Sequence, residues 1–178
     1  GKSVVVIEKG EPKSCNIVTS CEGKGKTFIM FSDDLDKALA TFVLANGAAA
    51  TGQKVTIFFT FWGLNVIKKL HKPNVEKDIF GKMFGMMLPS SSRKLKLSKM
   101  SMGGIGGKMM RYIMNRKGID SLESLRQQAL ENGVEFIACQ MSMDVMGVKQ
   151  EELLDEVTIG GVATYMERAD NANINLFI

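Results

Sequence analysis

A chain of 178 residues with 45% apolar content is long enough for one well-buried domain and too short for two full ones. Its net charge of +4 and pI near 8.9 are mild, and its basic residues are dispersed except over 93–99, so no nucleic-acid partner is expected. No run reaches about 18 apolar residues and no leader-like order of charged, apolar and small residues opens the sequence, so the expectation is a soluble, cytoplasmic protein without a membrane span.

Residues 1–25 stand apart. VVVIEKG (4–10) reads as a strand, and EPKSCNIVTSCEGKGK behind it has the turn and charged residues of a linker. The domain proper is predicted over 26–178. It opens with a buried strand at 26–31, after which Ser32 and Asp33 offer an N-cap and acidic first-turn residues. Leu35, Leu39, Phe42, Val43, Asn46 and Ala49 or Ala50 recur at helical spacing and Gly52 closes the helix. A second strand at 55–60 completes a βαβ unit, which implies parallel pairing and a right-handed crossover. Phe61, Trp62 and Gly63 mark its carboxyl end, followed by a short helix at 64–70 that stops before Pro73.

Residues 73–114 are an irregular insertion. They hold eight of the thirteen methionines and the glycines Gly103, Gly104, Gly106 and Gly107, a composition that suits a mobile apolar flap or an adaptable partner surface. Helices are expected at 108–115 and at 121–131, the latter capped by Ser121 with Gly133 beyond its end. A strand from Val134 to Ala138 then leads through Cys139 into a short helix ending at Gly147. After it come a short helix at 150–155, a strand at 157–159, a helix at 161–169 and a closing strand at 174–177. Five strands alternating with helices predict an α/β fold, a three-layer α/β/α sandwich on a mostly parallel sheet.

The stretch VEFIACQMSMDVMGV (134–148) carries the candidate chemistry, because it places Cys139 at a strand-to-helix switch. Ligands of open α/β sheets bind outside the carboxyl ends of the strands, and a following helix turns its free N–H groups and positive dipole end toward that place. A thiol there is expected to be uncovered and to lean toward thiolate. ACQMSMDVMGV also resembles the signature of the DsrE/DsrF-like sulfur-handling family, particularly its larger DsrE-like branch, and 27–69 and 151–178 are similar to that family too. The resemblance implies a cytoplasmic α/β domain that commonly oligomerises and whose cysteine carries sulfur as a persulfide. It also implies partners of the sulfur-carrier or rhodanese type. Related multidomain proteins place such a domain behind a sulfur-carrier module, so the segment before residue 26 reads as the join to one.

The remaining features read as structural. Cys15 and Cys21 lie six residues apart in the linker-like segment, where a resolving pair, a metal pair and plain linker thiols all remain open. His71 is the one histidine and no C-x-x-C occurs, so no metal is expected. SMGGIGGKM (101–109) fails both the Walker and the dinucleotide patterns at Met109 and reads as a hinge. The run Asp33, Asp34, Asp36 lacks the ligands and glycine of a calcium loop and is explained by helix capping. Asp144 reads as a helix-surface residue. The expected function is a sulfurtransferase or sulfur carrier without a cofactor. Cys139 takes sulfane sulfur, and Trp62, Gly63, Gln140 and Met141 form the walls that meet substrate. The rival is a non-catalytic oligomerisation or docking domain with a methionine-rich partner surface, in which Cys139 is only packed. A nucleotide-binding module on the same scaffold ranks behind both, because no phosphate motif is present.

Overall fold

The computed structural model describes residues 25–70, 83, 88–99 and 104–178. The strand expected at 4–10, Cys15, Cys21, His71 and much of the insertion lie outside the described residues. Five strands, β1 (Gly25–Met30), β2 (Val55–Phe59), β3 (Glu135–Cys139), β4 (Thr158–Gly160) and β5 (Ala172–Phe177), form one sheet in the order β4-β3-β2-β1-β5. Every pairing between them is parallel. The helices are α1 (Leu35–Ala50), α2 (Ile105–Arg116), α3 (Leu122–Glu131), α4 (Gln140–Met146) and α5 (Val162–Asp170). Short 3-10 turns lie at Phe61–Ile67, Ser92–Lys94 and Gln150–Glu152, the first and last overlapping the short helices expected at 64–70 and 150–155. The α/β/α sandwich is the one the strand and helix alternation predicts.

Side chains alternate across a strand, so β1, β2 and β3 each serve two cores. Phe28 and Met30 of β1, Ile57 and Phe59 of β2, and Phe136 and Ala138 of β3 enter the large core beneath α1 and α3. Phe42 of α1 meets Phe59 and Phe136 there, with ring centroids 6.4 and 5.8 Å apart. On the opposite face Phe58, Ile137 and Cys139 form a smaller cluster with Tyr165 of α5, edged by Ile29 and Ala169. Ile137 is as buried as Phe136, because a parallel sheet is covered on both sides.

Helix α1 departs from its expected face. Its buried positions are Leu35, Ala38, Thr41, Phe42 and Ala45, and Val43 faces out, because one residue along a helix turns it about 100° away from Phe42. The start of α1 differs as well. Asp34 takes the N-cap position without a side-chain cap, and the Ser32 hydroxyl accepts the Asp34 N–H at 3.1 Å. The Leu35 N–H is satisfied by the Lys96 carbonyl at 2.7 Å, a partner distant in sequence. By contrast Ser121 caps α3 as expected, accepting the Ser124 N–H, and Gly133 beyond that helix has φ +77°.

Candidate functional site

Strand β3 ends on Cys139, which is also the N-cap residue of α4, with extended backbone and no side-chain capping bond. Eight residues later Gly147 stops the helix at φ 62°. Cys139 therefore stands at the strand-to-helix switch that the sequence indicates, at the carboxyl end of the sheet. The first turn of α4 is anchored from β2, because the Thr60 and Ser142 hydroxyls lie 2.8 Å apart and both are buried.

The Phe61–Ile67 turn forms the neighbouring rim and packs on α4. Phe61 enters it at φ +46°, a conformation bulky residues rarely adopt, with its ring 5.5 Å from that of Phe31. The bend brings Gly63 against β1, where its N–H donates to the Phe31 and Thr60 carbonyls. A Cβ on Gly63 would lie 2.0 Å from the Met30 carbonyl oxygen, so only glycine fits. Gly63 thus sets the shape of the rim from beneath. Trp62, beside it, is 40% exposed. The far end of the turn is held by the buried Arg126 of α3, whose Nη1 donates to the Val66 carbonyl at 2.7 Å. Met141 on α4 is 54% exposed, and the Gln140 side-chain amide donates to Asp144 Oδ1 at 3.0 Å on the same outer surface.

The thiol is not uncovered. Cys139 is 2% exposed, packed with Phe58, Ile137 and Tyr165. The reason lies in the topology. Strands β4 and β5 are opposite edges of the sheet and α5 joins them, so the helix must cross the face toward which Cys139 points. Residue 139 pairs in register with Gly160, two residues before α5 begins, and Gly160 has no room for a side chain because a Cβ would lie 2.9 Å from Ile137 Cγ2.

Two polar arrangements near the site were not legible in the sequence. Arg168 of α5 reaches Glu135 at the start of β3, with Nε 2.9 Å from Oε2 and Nη2 3.2 Å from Oε1. These hydrogen bonds, helped by one from Thr56, hold the Glu135 carboxyl below its ordinary pKa. The Tyr165 hydroxyl lies 3.3 Å from Thr27 Oγ1. Each pair joins residues more than thirty positions apart, and no local spacing announces them. Burial pushes the Asp33 carboxyl up, against the hydrogen bond it receives from Asn65 Nδ2 at 3.0 Å. Among the described residues the Oδ1 of that buried asparagine has no hydrogen-bond partner.

Among the described residues no group of three His, Cys, Asp or Glu side chains could hold a metal, and no helix is long and apolar enough to cross a membrane. A cleft of about 810 Å³ opens elsewhere, lined by Leu35, Arg93, Arg111 and Glu123 among others, and none of the candidate residues borders it.

Comparison with known proteins supports the family assignment. The profile of the DsrE/DsrF/DrsH-like family matches residues 23–177. The uncharacterized protein YrkE of Bacillus subtilis (strain 168) is 44% identical over 155 residues, covering 87% of this chain and 97% of its own length. The sulfur carrier protein DsrE2 of Allochromatium vinosum is 38% identical over 161 residues, covering 88% and 99%. The crystal structure of the Escherichia coli ychN protein shares the fold at 11% identity and a TM-score of 0.52, over 86% of this chain and 99% of that one. With the family model matching residues 23–177 and a relative 38% identical over 161 residues, the chain belongs to the DsrE/DsrF/DrsH-like family.

Proposed function

We propose that the protein is a sulfur carrier, or a sulfurtransferase when it turns over, with Cys139 as the residue that holds the sulfur. The observation that carries this reading is the place of Cys139, the N-cap of α4 at the carboxyl end of β3, in a chain 38% identical to a protein named as a sulfur carrier. In the first step the Cys139 thiolate attacks the outer sulfur of a donor persulfide, R–S–SH. The donor S–S bond breaks, its electron pair leaves with R–S⁻, and Cys139–S–SH forms. In the second step an acceptor thiolate attacks the same outer sulfur, takes it as R′–S–SH and returns Cys139 to thiolate. The exchange is balanced without an outside oxidant.

Trp62, Gln140 and Met141 form the surface that a partner thiol meets, over a rim shaped by Gly63. The donors and acceptors are sulfur-carrier or rhodanese-like proteins in a reducing compartment, the cytoplasm. The exposed apolar residues Ile174, Leu176 and Phe177 on β5 support assembly with further copies of the chain. Mass spectrometry after incubation with a persulfide donor tests the central claim. The expected result is a gain of one sulfur on the peptide bearing Cys139 that is absent in Cys139→Ser. No gain, or the same gain in the variant, refutes it.

The burial of Cys139 favours a second reading, a docking or oligomerisation domain in which the thiol is a small core residue. Alkylation separates the two. A carrier thiol reacts in the native protein, whereas a core residue reacts only as fast as the whole domain unfolds.

A further inference from the structure

We propose that β4 and α5 form a detachable cover over Cys139, held shut by the Arg168–Glu135 ion pair and the Tyr165–Thr27 hydrogen bond, whose local opening admits sulfur. The inference rests on reading Cys139 as the reactive thiol, and it names what controls access to it.

The geometry makes this cover narrow. Nine residues of α5 extend about 14 Å in a helix about 10 Å wide. The five strands beneath span about 19 Å across the sheet. One helix thus crosses the face as a strip, and Phe177 at its margin is left 69% exposed.

The attachment is also thin. Tyr165 is the one buried residue of α5, with Ala169 partly buried, whereas α1 on the opposite face buries five. One residue links the helix to a strand at each end, Gly161 on the β4 side and Asn171 on the β5 side, so α5 cannot swing far by itself. Strand β4 is the weaker mooring. It is three residues long, among the described residues it lies at the edge of the sheet and pairs only with β3, and its last pairing is Gly160 with Cys139. Peeling β4 from β3 releases the start of α5 and uncovers Cys139 in one motion. Such a unit, with few buried contacts and a short edge ladder, opens at lower free energy than the whole domain.

The two side-chain contacts then act as latches. Both tie α5 to strands that stay in the sheet, Arg168 to β3 and Tyr165 to β1. Breaking either shifts the balance toward the open form without touching the thiol, α4 or the large core.

Native-state alkylation of Cys139, followed by intact mass across a low urea series, tests the proposal, with global unfolding read in parallel from circular dichroism. In the parent chain labelling is expected to be faster than global unfolding and nearly independent of urea at low concentration. Arg168→Ala and Tyr165→Phe are expected to label about two- to five-fold faster. Lys37→Ala, which breaks an ion pair with Asp34 on the far side of the sheet, serves as the control and is expected to label at the parent rate. If parent labelling follows global unfolding at every urea concentration, or if the latch variants label at the parent rate, the cover is refuted. Sulfur loading is read separately. Faster alkylation without any persulfide on Cys139 keeps the cover and removes the carrier reading, while persulfide formation with unaltered latch variants does the reverse.

Discussion

The hydroxyls of Thr60 and Ser142 meet at 2.8 Å inside the protein, joining the end of β2 to the first turn of α4 immediately after Cys139. This contact fixes where the helix start sits relative to the thiol. Removing one hydroxyl leaves the other buried and unpaired, so Thr60→Val or Ser142→Ala is expected to cost about 1–3 kcal/mol. The double variant is expected to cost less than the two single losses added together, because neither orphan remains. Urea denaturation of the four proteins measures this coupling, and strict additivity would show that the hydroxyls do not depend on each other.

Gly63→Ala tests whether the rim is set by close packing. The new methyl group would be driven into the Met30 carbonyl, which belongs to the sheet backbone and cannot rotate away. A loss of about 3 kcal/mol is expected. Thermal melting checks this, and a variant as stable as the parent would mean the turn relaxes freely.

The ion pair of Glu135 gives the protein an acid-sensitive contribution. Its carboxyl has a folded pKa below the ordinary 4.5, held down first by Arg168. Stabilisation of this sign is present above the unfolded value and is lost as the pH falls through the lower folded value. Glu135→Gln is therefore expected to be less stable than the parent at neutral pH by at most about 1 kcal/mol. The gap should close as the pH drops below 4.5. Melting curves from neutral to acid pH decide it, and a constant gap would exclude the ion pair as its source.

Asp33 behaves in the opposite sense. Burial raises its pKa above 3.8, so the ionised side chain carries a cost that is absent below 3.8 and complete once the pH exceeds the raised folded value. Asp33→Asn removes the charge and places an amide donor beside the unpartnered Asn65 Oδ1. A gain of about 1 kcal/mol is expected at neutral pH, or about 2–4 °C in Tm for a chain of this size. That gain should shrink in acid. A variant less stable than the parent at pH 7 would contradict the assignment.

Much of the sheet was legible in advance because its signals are local. Thr27 to Phe31, Val55 to Phe59 and Glu135 to Cys139 are short apolar runs bounded by turn residues, and Ser121 with Gly133 brackets α3. Helical spacing found α1 but misjudged its inner face, since the choice between Val43 and Ala45 depends on where Phe59 and Phe136 lie. The start of α1 was misread for a similar reason: its first N–H is satisfied by Lys96, about sixty residues away.

The sequence by itself determined the class of fold and the switch from strand to helix at Cys139, because both follow from periodicity and from residues adjacent in the chain. Tertiary structure alone decided that the thiol is covered. Which edge β4 and β5 occupy sets the path of α5, and no local pattern encodes that order. Tyr165 and Arg168 come to lie against β1 and β3 only because the crossover spans the sheet, so the control of access to Cys139 belongs to topology.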